Sequence, residues 1–139
     1  MRIFLDANVL FSAAKSAGAV RQLLHALHAA GHQLVASEYV ATEARRNLLG
    51  KAGTDAATYL QALLTAIEVS PVAASAATQS DLQWLPDKDR PVLASAIATK
   101  CDALVTGDRT HFGAAYGQTF RGVTIYSPAQ LAQATIAPP

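Results

Sequence analysis

Ala103-Leu104-Val105-Thr106-Gly107-Asp108 runs from three apolar residues through a turn to a carboxylate, and Arg2-Ile3-Phe4-Leu5-Asp6 repeats that plan near the start of the chain. A short run that is apolar on both faces fits a strand buried on both sides, as in a parallel sheet. Five such runs are predicted, over residues 2–5, 33–36, 67–70, 103–106 and 122–126. Helical patterns fill the gaps. Val20, Leu23, Leu24 and Leu27 recur at helical spacing, with Gly31 just beyond as a stop. Ser37 precedes a helix over 38–49 that Gly50 ends, and Thr54 is placed to cap one over 55–66. Asp89 with Pro91, and Ser127 with Pro128, mark two further helix starts. Alternating strands and helices of this kind predict an α/β fold: a three-layer α/β/α sandwich around a mostly parallel five-stranded sheet.

Composition agrees with one such domain. The chain has 139 residues, 51% of them hydrophobic, although 30 are alanines that bury little area. Residues 1–136 read as a single domain and 137–139 as a frayed tail. No apolar run approaches the roughly 20 residues that a bilayer-spanning helix needs. Cys101 stands alone, which excludes an internal disulfide and a cysteine-rich zinc site. Met1 leads straight into a four-residue strand and Asp6, too short for a signal peptide's apolar core, so a cytoplasmic location is expected. A net charge of +1 gives no global nucleic-acid footprint, and any such role must come from a local patch.

The carboxylates carry the chemistry. Asp6 and Asp108 each follow a predicted strand, so both fall on the carboxyl edge of the sheet, where ligands bind in folds of this kind. Asp89 begins a helix on that edge, and Glu43 lies about a turn into the second predicted helix. Each residue also has a structural reading when taken singly. Asp6 and Asp89 can be helix caps, the more frequent role for Asp89 alone, Gly107-Asp108 a tight turn, and Glu43 part of a solvated face beside Arg45 and Arg46. Together, four converging carboxylates repel one another, and a divalent cation relieves the repulsion. Oxygen donors favour Mg²⁺ or Mn²⁺ over zinc, and such a centre suits phosphodiester hydrolysis.

The order of these residues resembles a PIN domain, the metal-dependent ribonuclease fold of VapC-type toxins. Ile3-Phe4-Leu5-Asp6-Ala7-Asn8-Val9-Leu10 is similar to the family's opening strand and its first acid. Ser37-Glu38-Tyr39-Val40-Ala41-Thr42-Glu43 matches the second. Pro86-Asp87-Lys88-Asp89-Arg90-Pro91-Val92-Leu93-Ala94-Ser95-Ala96 and Ala103-Leu104-Val105-Thr106-Gly107-Asp108-Arg109-Thr110-His111-Phe112 match the third and fourth. The resemblance implies that Asp6, Glu43, Asp89 and Asp108 form a catalytic quartet holding one or two Mg²⁺ or Mn²⁺ ions. Asn8 and Thr106 would support it, and Asp87 would be an outer ligand. A further acid just after the last motif is absent, since the chain continues Arg109-Thr110-His111.

The activity implied is hydrolysis of RNA to a 5′-phosphate and a 3′-hydroxyl, with Glu43 as the candidate proton acceptor. Type II toxin–antitoxin membership, a cognate antitoxin and a homodimer are implied as well. Arg90, Arg109 and Arg46 are the leading candidates for substrate phosphates, with Arg45, Lys51, Lys88 and Arg121 behind them. His111 is expected to make a local structural contact. The alternatives are a catalytically silent PIN-fold RNA-binding adaptor, a housekeeping RNA-processing nuclease and a structure-specific DNA nuclease, the last disfavoured by short length and weak basicity. A receiver-like signalling domain would need an acidic pair after the first strand and a late lysine, but Asp6 stands alone and no lysine follows Lys100.

Overall fold

A computed structural model describes residues 1–49, 53–71 and 80–136. The strands are β1 (Arg2–Leu5), β2 (Gln33–Ser37), β3 (Glu68–Ser70), β4 (Ala103–Val105), β5 (Thr119–Phe120) and β6 (Val123–Tyr126). They lie in the order β3-β2-β1-β4-β6-β5, parallel throughout except for the β5–β6 pair. The layering is α/β/α as expected, but the sheet has six strands rather than five. The extra strand is a hairpin edge. Phe120 pairs with Val123 across Arg121 and Gly122, both at positive φ (50° and 86°). A two-residue turn with that backbone matches the right-handed twist of its strands. Arg-Gly is a weaker sequence signal for it than Asn-Gly.

The helices are α1 (Ala7–Lys15), α2 (Ala19–Ala29), α3 (Glu38–Leu48), α4 (Thr54–Ala66), α5 (Arg90–Ala98), α6 (Arg109–Phe112) and α7 (Pro128–Ile136). Apolar periodicity predicts no separate α1. Three of its five buried residues, Ala7, Ala13 and Ala14, are alanines, which register poorly as an apolar stripe. Ser37 caps α3 by accepting from Val40 N, whereas the N-cap of α4 is Gly53, one residue before the expected Thr54. The expected helix stop at Gly50, the candidate Lys51, most of the Ala/Ser-rich stretch before Ser80 and the tail 137–139 lie outside the described residues. No helix among the described residues is long and apolar enough to cross a membrane.

The register positions the site. β1 lies between β2 and β4, with Leu5 beside Val105. Chain order therefore reverses at β1, the kind of switch point where ligands bind in open α/β sheets. Ile3, Phe4, Leu5, Ala103, Leu104 and Val105 are fully buried, as consecutive positions are in parallel strands covered on both faces. Each large side chain sealed in this way contributes roughly 1.5–3 kcal/mol, which holds the ends of β1 and β4 in fixed relation.

Candidate metal centre at the carboxyl edge

Asp6 leaves β1 and caps α1. Its Oδ1 accepts from Ala7 N at 2.7 Å, and its Oδ2 accepts from Thr106 Oγ1 at 2.8 Å and Asn8 Nδ2 at 3.3 Å. Thr106 Oγ1 in turn accepts from Asp108 N at 3.1 Å, and Asn8 Oδ1 accepts from Gly107 N at 2.7 Å. A Cβ on Gly107 would lie 3.3 Å from Asn8 Oδ1, so this close approach favours glycine. Asn8 and Thr106, both expected to support the acids, thus tie the end of β1 to the end of β4. Tyr116 closes the lattice from behind by donating its hydroxyl to Thr106 O at 2.7 Å.

Asp6 is only 5% exposed. Burial pushes its carboxyl up to about 6, hydrogen bonds from Thr106 and Ala7 N oppose the rise, and Glu43 and Asp89 add to it. Both acids are therefore near enough for their charges to act on Asp6. Asp89 is also raised, by burial first and by Asp108, while His111 and Lys88 pull it down.

Asp89 corrects the single-residue reading as a cap. It occupies the N-cap position of α5, but its side chain makes no capping hydrogen bond. Its backbone (φ −96°, ψ −17°) is helical rather than extended, unlike a typical capping residue. The carboxylate turns to His111 instead, with Oδ2 2.8 Å from Nδ1. Asp108 does cap α6, accepting from His111 N with Oδ1, and its Oδ2 lies 2.9 Å from the same Nδ1. Asp89, Asp108 and His111 offer three ligand atoms within 4.8 Å of one another. Of the quartet, then, Asp89 and Asp108 gather around His111, whereas Asp6 is linked to Asp89 and Glu43 by the effect of their charges. His111 is the member that sequence reasoning left out of the site. The signal available was its i+3 spacing from Asp108 on a short helix.

Glu43 sits on α3 one turn after Tyr39, whose hydroxyl donates to Lys88 O at 2.6 Å and pins α3 to the segment before Asp89. Burial raises the Tyr39 hydroxyl, and Glu43, Asp89 and Asp6 raise it further. Beside Glu43 opens a cleft of about 400 Å³ lined by Glu38, Tyr39, Thr42, Glu43, Arg46 and Lys88. Two cations therefore line the same cleft as Glu43.

The other candidates scatter. Asp87 is exposed and paired with Arg90, outside the cluster. Arg90 also donates to Leu82 O and Gln83 O, so its guanidinium anchors the 80–87 segment. Arg109 is exposed and acts on the Tyr116 hydroxyl, lowering it against the effect of burial. Arg45 pairs with Glu38, and Arg121 with Asp81.

The donor chemistry fits a divalent cation. Asp89 Oδ2 and His111 Nδ1 are sealed from water, and among the described residues neither has a partner in hydrogen-bond geometry despite their closeness. Buried polar atoms left in this way are ordinarily satisfied by a proton, a water or an ion.

A fold with β1 at its switch point and acids gathered at that edge defines a class, and the sequence agrees. The family model described as PIN domain matches residues 2–110, and the chain belongs to this family. Among solved structures, VapBC2 from Rickettsia felis, bound to a DNA fragment from their promoter, aligns with a TM-score of 0.69 at 17% identity. That alignment covers 91% of this chain and 98% of the other. VapC20 from Mycobacterium tuberculosis, a sarcin-ricin loop cleaving toxin, aligns at 0.61 and 17% identity over 84% and 98%. FitAB bound to the IR36 DNA fragment aligns at 0.62 and 17% identity over 91% and 94%. These likenesses are of fold. No curated protein matches the chain in sequence.

Proposed function

We propose that the protein is a Mg²⁺- or Mn²⁺-dependent endoribonuclease and the toxin of a type II toxin–antitoxin pair. The observation that carries this reading is the acidic centre at the switch point of a PIN domain, where Asp6 and Asp89 are buried and Asp89 and Asp108 gather with His111 in a group able to hold a metal ion. The naming of VapC20 as a toxin that cleaves the sarcin-ricin loop supports the RNA substrate, and the paired VapBC2 and FitAB assemblies support an antitoxin partner.

Asp6, Asp89 and Asp108, with Glu43, would hold one or two cations. When bound, a divalent cation polarises a phosphoryl oxygen and lowers the pKa of water enough to supply hydroxide near neutral pH. Glu43 accepts the proton that the attacking water loses. Water oxygen bonds to phosphorus as the P–O3′ bond breaks, and the departing O3′ takes a proton from solvent, leaving a 5′-phosphate and a 3′-hydroxyl. Asn8 and Thr106 hold Asp6 in place, since their hydrogen bonds fix its Oδ2. Arg46 and Lys88 take the neighbouring phosphates, because they line the cleft beside Glu43. Arg109 is a secondary phosphate contact. A homodimer acting in the cytoplasm completes the reading.

The test is cleavage of labelled RNA and DNA by purified protein with Mg²⁺, Mn²⁺ or EDTA, beside Asp6→Asn and Asp89→Asn. Metal-dependent RNA cuts that vanish in both variants are expected. A protein that binds RNA without cutting it, in any metal, would instead be a silent adaptor. Growth arrest on expression, relieved by Asp6→Asn, separates a toxin from a housekeeping nuclease.

A further inference from the structure

We propose that His111 is itself a metal ligand, giving its Nδ1 beside Asp89 Oδ2 and Asp108 Oδ2, so that this centre takes Mn²⁺ in preference to Mg²⁺. The inference rests on the metal-dependent reading of the same site and adds a nitrogen donor to a set otherwise made of carboxylates.

Three observations carry it. The first is spacing. His111 Nδ1 lies 2.8 Å from Asp89 Oδ2 and 2.9 Å from Asp108 Oδ2. Two donors side by side on an octahedral ion, each about 2.1 Å from it, are about 3 Å apart. The second is direction. Among the described residues Nδ1 has no partner in hydrogen-bond geometry, although two carboxylate oxygens crowd it. Asp89, itself 8% exposed, has its Oδ2 sealed and unpartnered in the same way. An imidazolium bridging two carboxylates would align its N–H with one of them. Lone pairs gathered without alignment fit a shared cation better.

The third observation is construction. Asp108 spends Oδ1 on capping α6 through His111 N, which leaves Oδ2 beside the imidazole of the same turn. One short helix therefore presents a carboxylate and an imidazole together, and Asp89 completes the set from α5. The donors come from segments already held by the core: Phe112, next to His111, is fully buried, as are Val105 and Thr106 before Asp108. As a ligand, His111 binds through Nδ1 and carries its proton on Nε2. Imidazole suits first-row transition metals, whereas Mg²⁺ prefers oxygen and holds its waters tightly, so the added nitrogen favours Mn²⁺.

The experiment uses the full, tag-free chain. Mn²⁺ is titrated by EPR, and pulsed EPR of the bound ion then reads nitrogen coupling in the wild type, His111→Ala and Asp89→Asn. The expected result is a coupling from one directly bound nitrogen that is absent in His111→Ala and altered by ¹⁵N-histidine labelling of the wild type. His111→Ala is expected to lower Mn²⁺ affinity about tenfold or more and Mg²⁺ affinity by about threefold or less, by competition against Mn²⁺. The labelled wild-type spectrum decides the question even where His111→Ala folds poorly. Mn²⁺ bound in an Asp89-dependent way without nitrogen coupling overturns the inference and leaves the nuclease reading standing. Coupling that persists in His111→Ala assigns the nitrogen elsewhere and overturns it too. No Mn²⁺ binding at all overturns both.

Discussion

The two edges of one parallel sheet treat their carboxylates in opposite ways. At the amino edge, Glu68 at the start of β3 pairs with Arg2 at the start of β1, at 2.8 Å. Arg2 also donates to Gln33 and Thr99 O, and its own backbone N–H donates to Asp102. A hydrogen bond from Arg2 holds the Glu68 carboxyl below its ordinary value. At the carboxyl edge of the same β1, Asp6 is buried and raised to about 6, and Asp89 is raised as well. A few residues of strand separate the two edges, so the contrast does not come from composition. Basic groups at the amino edge bond the acids directly, whereas Arg90 at the carboxyl edge is turned to backbone carbonyls and Asp87. At that edge the acids meet His111 and neutral donors instead of a guanidinium, and buried carboxyls whose ionised form is disfavoured destabilise the fold and cluster at functional sites.

Removing the acids at the carboxyl edge should have the largest effect. Asp6→Asn and Asp89→Asn are expected to lower metal-dependent RNA cleavage by about 10³-fold or more, read by initial rates on labelled RNA with far-UV circular dichroism unchanged.

Stability should move the other way. A carboxyl raised from 3.8 to about 6 carries a folding penalty of about 3 kcal/mol once ionised. Above pH 6 Asp6 is charged in both states and the folded state bears the whole penalty. As pH falls through 6 towards 4, folded Asp6 takes up its proton first and the penalty disappears. In EDTA, Asp6→Asn is therefore expected to be more stable than the wild type by up to about 3 kcal/mol at pH 7.5, with the gap closing near pH 4. Urea melts across that range measure it. A Mn²⁺-induced rise in melting temperature should appear in the wild type and be lost in Asp89→Asn.

Thr106→Val keeps the shape of the side chain and removes the donor to Asp6 together with the acceptor for Asp108 N. Cleavage is expected to fall about 10- to 100-fold, the usual effect of losing a group that orients a metal ligand.

The amino edge should respond least and with the opposite pH sign. Glu68 is 51% exposed, so Glu68→Gln is expected to cost about 1 kcal/mol or less and leave cleavage unchanged. Because the Glu68 carboxyl is lowered, its contribution is present at neutral pH and is lost as pH falls through the carboxylate range. Opposite pH slopes for Asp6→Asn and Glu68→Gln, measured under one set of conditions, would sharpen the contrast. Parallel slopes would break it.

Strand ends were legible in the sequence because burial on both faces leaves an uninterrupted apolar run, and the residue that ends the run marks the edge of the sheet. Asp6 and Asp108 follow from that reading, whereas Asn8 and Thr106 come from the resemblance to the PIN family. The helix starts at Ser37, Asp89 and Pro128 were legible from local turn chemistry. The hairpin edge at Thr119–Phe120 was not, because a two-residue strand has no periodicity and Arg121 at positive φ is an uncommon choice. Nor was the fate of each side chain. Asp89 has the sequence of a cap, and only packing turns its carboxylate to His111. Arg90 sits beside an acid in sequence and is used elsewhere in space. His111 enters the cluster because α6 follows the end of β4 and the start of α5 brings Asp89 to the same place. Local pattern determines where a chain turns and which residues stand at an edge, since those depend on neighbours within a few positions. Which side chains then meet is set by the register of β1 on β4 and by the packing of α3, α5 and α6, contacts between residues far apart along the chain.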